Sequence, residues 1–307
     1  MLDTIGTILL TIVLPVFALI GLGALLERAF RLDVPTLSKL NFFVFVPSLV
    51  FISLLHSPFA FSALGELALL ATLHVLLLWG CCSLLFAASP LRESKATLTL
   101  GTLFYNAGNY GLPLAALAFP DVGVNAMAVV MVTQNFLNFT LGVWLLEKDK
   151  RSGWGDALKG LAKVPVIWAV ALALGCRSVG FEPPEPLARP LEYLAGGLIP
   201  VALLTLGVQL AQPRPGSNRT ALGALCAVRL VLSPMLAAAL VALFAATGNR
   251  VIGGEVFIVA AGLPVAVNVF ILSVEYRRSP GLASQMVFWT TLLSAATVSV
   301  ILAFLQS

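Results

Sequence analysis

Charge is what this sequence has least of. Asp, Glu, Lys and Arg make up 10% of its 307 residues, against about 25% in ordinary soluble domains. With 59% hydrophobic residues and a mean hydropathy of +1.00, that shortage excludes a soluble fold and predicts an all-α integral membrane protein. Histidine occurs only at His56 and His74, and no Asp falls inside an apolar run. Zinc-dependent membrane proteases need clustered His and carboxylates, and aspartyl ones need paired intramembrane Asp, so both chemistries lack their groups. A G-x-S-x-G-like loop is missing too, and an enzyme is not expected. The four cysteines (Cys81, Cys82, Cys176, Cys226) stand in apolar stretches without zinc or disulfide spacing, so neither a metal nor a cofactor is expected. A net charge of +4 would suggest nucleic acid in a soluble chain. Here the basic residues sit in short loops and report topology instead, with the lipid bilayer as partner and no nucleic acid. The start, with Asp3 and no basic residue, lacks the positive n-region of a signal peptide, so the first segment is expected to stay as a helix.

What is present is a series of apolar runs. About 20 apolar residues cross a bilayer, and ten runs meet that rule: 5–26, 37–55, 65–88, 96–119, 124–146, 161–179, 191–211, 219–246, 253–275 and 283–305. After the odd-numbered runs come Arg28, Arg31 and Lys39; Arg92 and Lys95; Lys148, Lys150, Arg151, Lys159 and Lys163; Arg214 and Arg219; Arg277 and Arg278. After the even-numbered runs come only Arg177, Arg189 and Arg250. The positive-inside rule therefore puts the odd loops in the cytoplasm and both termini outside.

The longest basic connection, 147–163, reads as a cytoplasmic linker between two five-helix halves, 1–146 and 164–307. An odd number of spans per half forces the halves to be inverted. Pro15 parallels Pro165, Pro47 parallels Pro200, and Asn109 with Pro113 parallels Pro264 with Asn268, which fits an inverted repeat.

Two spans are interrupted. Span 4 holds Asn106-Ala-Gly108-Asn109-Tyr-Gly111-Leu-Pro113, and span 9 holds Gly262-Leu-Pro264-Val-Ala-Val-Asn268. Proline removes a backbone donor and glycine weakens the helix. Freed backbone groups survive in lipid only where protein or a wet cavity meets them. Each span is expected to resume as a half-helix, from about Leu112 and about Val267, with its N-terminus at the protein centre. Two such termini, each carrying about half a positive charge, make an anion site without Lys or Arg. Asn106, Asn109 and Asn268 could cap those ends or hydrogen-bond a carboxylate. A plain proline kink, with Asn serving loosened backbone, is the structural alternative.

The span 4 stretch resembles the N-x-G-x-x-G-x-P signature of the auxin efflux carrier family, whose fold is related to the bile acid:sodium symporters. Leu263-Pro264-Val-Ala-Val-Asn268 through Val274-Glu275-Tyr276 is similar to that family's ninth helix. The resemblance covers the whole chain. It implies that broken helices 4 and 9 cross at the substrate site, that spans 3–5 and 8–10 form a transport domain, and that spans 1, 2, 6 and 7 form a scaffold and homodimer interface. It also implies small organic anions, such as malate or malonate in bacteria and auxin in plants. Two departures count against auxin: Asn268-Val269 stands where plant members have a second proline, and Asn109 stands at a usually apolar position.

Span 5 adds Gln134, Asn135 and Asn138, which share a helix face. Span 10 repeats the layout with Thr290, Thr291, Ser294 and Thr297. Such groups either line the crossover or bond neighbouring helices. Arg229, inside span 8, either attracts the anion, pairs with a carboxylate, or snorkels to the interface, the last being preferred. His74 is either a proton-coupling group or is satisfied locally. Sodium-coupled relatives of the fold use a carboxylate near the ninth-helix crossover, and 264–268 has none. Potential- or proton-driven movement is therefore expected, with a sodium symporter of the bile-acid type as the alternative. A potential supplying about 2.3 kcal/mol per charge per 100 mV favours anion efflux. The Ala-, Leu- and Arg-rich composition points to a bacterial inner membrane.

Overall fold

The computed structural model describes residues 2–87, 91–146, 164–212, 218–248 and 251–306. The linker expected at 147–163 lies outside the described residues. Among the described residues seven apolar helices are long enough to cross a bilayer: α1 (Thr4–Phe30), α2 (Val34–Leu55), α3 (Phe61–Leu85), α6 (Gly123–Gly142), α8 (Glu185–Ala211), α9 (Arg219–Ala246) and α12 (Pro280–Leu305). A shorter apolar helix, α7, spans Pro165–Ser178. Four half-length helices remain: α4 (Lys95–Leu103), α5 (Leu112–Ala118), α10 (Gly254–Ala261) and α11 (Val267–Glu275). The protein is thus an all-α, multi-pass membrane protein. Its outer surface agrees, since large apolar side chains such as Leu10, Leu25, Leu84, Trp168 and Phe304 are exposed along these helices, as contact with lipid would have them.

Several helices begin before the apolar runs do. α2 starts at Val34 because Asp33 caps it, accepting from the Thr36 N–H at 3.0 Å and from the Thr36 hydroxyl. These bonds hold the exposed Asp33 carboxyl below its ordinary value. α8 starts at Glu185 with Pro186 in its first turn, where a missing N–H costs nothing, and Arg189 pairs back to Glu185 at 2.5 Å. Both starts are set by a cap or a proline rather than by an apolar run, so a hydropathy rule misses them.

Five π-turns interrupt the helices, at Leu9–Val13, Asn41–Phe45, Ala107–Gly111, Asn138–Gly142 and Val228–Leu232. Four of them end two residues before a proline: Pro15, Pro47, Pro113 and Pro234. A proline ring clashes with the carbonyl four residues back, and one wider turn relieves the clash. At the fifth, Gly142 sits where an added Cβ would lie 2.9 Å from Asn138 Oδ1. Four of the five turns carry a polar residue into the bilayer-spanning core: Asn41, Asn109, Asn138 and Arg229. Such turns occur often at functional sites.

α1 lies against α8, and α2 lies against α7 and α8. At the first contact, Cβ atoms added to Gly23 and Gly207 would lie 2.2 Å from Leu204 O and 1.9 Å from Ile20 O. The two backbones therefore touch directly, as small residues allow in membranes. Elsewhere α3 packs on α6 and α9 on α12, and the four half-length helices are held among the longer ones.

Candidate functional site

The two interrupted spans meet through their non-helical segments. Tyr105 and Val265 form an isolated antiparallel bridge. The Asn106 N–H donates to Pro264 O at 2.8 Å, and the Ala266 N–H donates to Phe104 O at 3.0 Å. The breaks thus satisfy each other's backbone, as a membrane interior requires. A further brace comes from α12, where Thr290 Oγ1 accepts the Val265 N–H at 3.0 Å. Gly111 permits the close approach: an added Cβ would lie 2.7 Å from Leu263 Cδ1 and 3.0 Å from Met127 Sδ.

After the crossing, helix resumes at Ala107, earlier than the expected Leu112, because the π-turn Ala107–Gly111 runs directly into α5. Asn106 is the N-cap: its Oδ1 accepts from the Asn109 N–H at 3.2 Å. α11 resumes at Val267 as expected, after Ala266 and with no side-chain cap.

A cavity of about 320 Å³ opens at these two helix starts. Asn106, Gly108 and Asn109 line it from the first break, Asn268 from the second, and Gln134, Asn135 and Asn138 from α6. Seven of the ten residues expected to bind substrate are therefore brought to one cavity. Gly111, Pro113 and Pro264 are buried but do not line it; they shape the backbone that does.

The polar groups on this wall are only partly used. Asn106, Gln134 and Asn138 are 6%, 4% and 2% exposed. Asn106 Nδ2, Asn138 Oδ1 and both amide atoms of Gln134 are buried without a hydrogen-bond partner in the protein. A buried polar group left unpaired costs about 1–3 kcal/mol, so such a cluster marks a place built to meet something polar.

Four polar lining residues on α2 and α8 were not anticipated: Ser38, Lys39, Asn41 and Gln209. Asn41 donates to Thr205 Oγ1 at 3.0 Å and Gln209 to Ser38 Oγ at 3.1 Å, each leaving its amide oxygen unpaired. The exposed Lys39 and Glu275 stand among the lining residues as well, the only charged ones there. A lone Asn between Leu40 and Phe42 was the available signal for Asn41. Tyr105, adjoining the recognised motif, also lines the cavity.

The secondary candidates lie elsewhere. Thr290 is spent on Val265 and on Met286 O at 2.6 Å, and Ser294 shares a hydrogen bond with the Tyr110 hydroxyl at 3.1 Å. Arg229 does not snorkel: it is fully buried. Its guanidinium donates to Thr102 O at 2.5 Å, to Ser233 Oγ at 2.7 Å and to Ala261 O. Carbonyls freed at the breaks reward it for staying inside. His74 is buried behind Ser233, its Nε2 3.0 Å from Ser233 O, and its ring is edge-on to Phe257. No cluster of metal-ligating side chains occurs among the described residues.

A multi-pass helical protein with a polar cavity at a crossing of two broken helices has the build of a membrane transport protein. Residues 155–302 match the family described as "Membrane transport protein". A protein of Rhizobium meliloti named "Putative malonate transporter" is 29% identical over 96% of this chain and 95% of its own. An "Uncharacterized transporter" of Methanothermobacter thermautotrophicus is 27% identical over 93% of this chain and 95% of its own. Over residues 155–302, and along most of its length in the two relatives, the chain is thus similar to membrane transport proteins.

Proposed function

We propose that this chain carries small organic anions, mono- or dicarboxylates, bound at the crossover between the starts of α5 and α11. The observation that carries the reading is the set of buried, unpartnered amide groups on the wall of a cavity where two helix N-termini meet. Two N-termini supply about one positive charge between them, enough for one carboxylate, and amide N–H groups add directed donors. Lys39, at an exposed position on the same wall, suits a second carboxylate. The malonate named for the Rhizobium relative is of this class.

The ten-span, inverted-repeat reading is supported by the packing. Counting α4 with α5 and α10 with α11 as single spans gives ten. Exchanging spans 1–5 with 6–10 turns the α1–α8 contact into the α2–α7 contact, both of which occur. In this reading α1, α2, α7 and α8 are a scaffold and homodimer surface, and the remainder is a transport domain that moves by an elevator motion. Both termini lie outside a bacterial inner membrane, and the anion leaves the cytoplasm down the membrane potential or with a proton.

Flux of radiolabelled malonate, malate, lactate and indole-acetate into proteoliposomes, with sodium, pH and potential imposed separately, tests this. Potential-driven carboxylate flux without sodium is expected. Strict sodium dependence would move the chain to a symporter of the bile-acid type, and no carboxylate flux under any gradient would overturn the substrate class.

A further inference from the structure

The crossover has a second face. α4 and α10 end at it, so their last carbonyls are left with no helical partner. In a membrane interior each such carbonyl is expensive to leave bare. Two helix C-termini also bring together about half a negative charge each. In transporters with broken helices this is the place where helix ends and unwound carbonyls take a coupling cation.

Here a side chain fills that place. The Arg229 guanidinium bonds Thr102 O near the end of α4 and Ala261 O, the last residue of α10. Ser233 Oγ accepts from Arg229 at 2.7 Å and donates to the same Ala261 carbonyl at 2.8 Å. Arg229 is 0% exposed, and no carboxylate pairs with it among the described residues. A buried charge without a counter-charge is costly; two C-terminal half-charges sum to about the one that is missing. The planar fork suits the task, since it can serve two carbonyls at once where a single metal ion would need more oxygens. The proline-associated π-turn Val228–Leu232 is what brings Arg229 to this depth.

We infer that Arg229 is a resident cation, standing at the joined C-termini of α4 and α10 in place of an exchangeable coupling ion. The chain carries its own fixed charge through the transport cycle and needs no sodium to hold the crossover together. Arg229 acts by positioning: its Cζ lies 4.8 Å from the centroid of the Tyr105 ring, and Tyr105 lines the substrate cavity. The inference rests on the crossover being the working centre, but its test does not depend on which substrate is carried.

The measurement is the melting temperature of the purified full chain in detergent, in sodium chloride and in choline chloride at equal ionic strength. Wild-type protein is expected to melt equally in both, and a rise specific to sodium would overturn the inference. Arg229→Ala is expected to melt roughly 10 °C lower and to regain much of that loss with millimolar guanidinium chloride, too dilute to denature. A folded variant that guanidinium does not rescue would also overturn it. Should Arg229→Ala not be monodisperse, Arg229→Lys and Arg229→Gln decide. The charged variant lacks the fork and is expected to lose part of the stability, the neutral one clearly more; equal losses would mean the site does not need the charge. Stabilisation by malonate, malate, lactate and indole-acetate, read in the same assay, separates this from the substrate reading, because its absence for all four would count against that reading and leave the sodium result standing.

Discussion

The two faces of the crossover are built from the same parts and finished in opposite ways. On one face two helix C-termini meet, and Arg229, Ser233 and His74 close it with hydrogen bonds and full burial. On the other face two helix N-termini meet, and the side chains there are neutral amides with atoms left unpaired beside an open cavity. The sealed face is a completed electrostatic balance: one guanidinium against two C-terminal half-charges. The open face has positive ends and donors but no buried anionic side chain facing them. A chain that binds an anion reversibly needs this asymmetry, because the ligand must be able to leave while the scaffold that presents it must not.

The sharpest way to break the comparison is to supply the open face with its own anion. Asn106→Asp keeps an oxygen to cap the Ala107 turn but removes the Nδ2 donor and adds a negative charge. Folding is expected to survive, while carboxylate affinity falls by roughly ten- to hundredfold, as losing a hydrogen bond to a charged group implies. Calorimetric titration checks this, and unchanged affinity would move the binding site elsewhere. Next in size is Gln134→Leu. The Gln134 amide makes no hydrogen bond of normal geometry and only approaches the Tyr105 hydroxyl, so the melting temperature should change little while affinity weakens about fivefold. A large drop in stability with normal binding would make Gln134 part of the packing.

Much of the open face was legible in the sequence, and little of the sealed one. Glycine, proline and asparagine clustered inside apolar runs betray a break, since each is a poor choice for an uninterrupted membrane helix, and 106–113 and 262–268 stood out for that reason. The i, i+3 and i, i+4 spacing of Gln134, Asn135 and Asn138 placed them on one helix face, which the fold turns toward the breaks. Arg229 was misjudged because sequence distance from a loop measures depth but not what waits there. The carbonyls that hold it belong to Thr102 and Ala261, 127 and 32 residues away. Asn41 and Gln209 were passed over for the same reason: each is a single polar residue whose meaning depends on a partner helix. The early start of the half-helix at Ala107 also escaped, because a π-turn has no residue signature beyond the proline that follows it.

The remaining predictions concern the hydroxyls of α12, which sequence pattern alone equated with the amides of α6. Thr290→Val strands the Val265 N–H inside the crossover. That should cost about 1–3 kcal/mol of stability, seen as a lower melting temperature, with carboxylate affinity nearly unchanged. Ser294→Ala should do least. Its hydroxyl donates to its own helix at Thr291 O and shares a second hydrogen bond with the Tyr110 hydroxyl, and side-chain hydrogen bonds between membrane helices average about 0.6 kcal/mol. The Tyr110 ring stays wedged edge-on against Phe17 at 6.2 Å in either case. A small drop in melting temperature with normal affinity would show that α12 serves the frame and α6 the ligand, although their polar residues fall at matching places in the two halves. A loss of affinity from Ser294→Ala larger than that from Gln134→Leu would reverse the assignment, and the cavity would then have to open toward α12 in another state of the cycle.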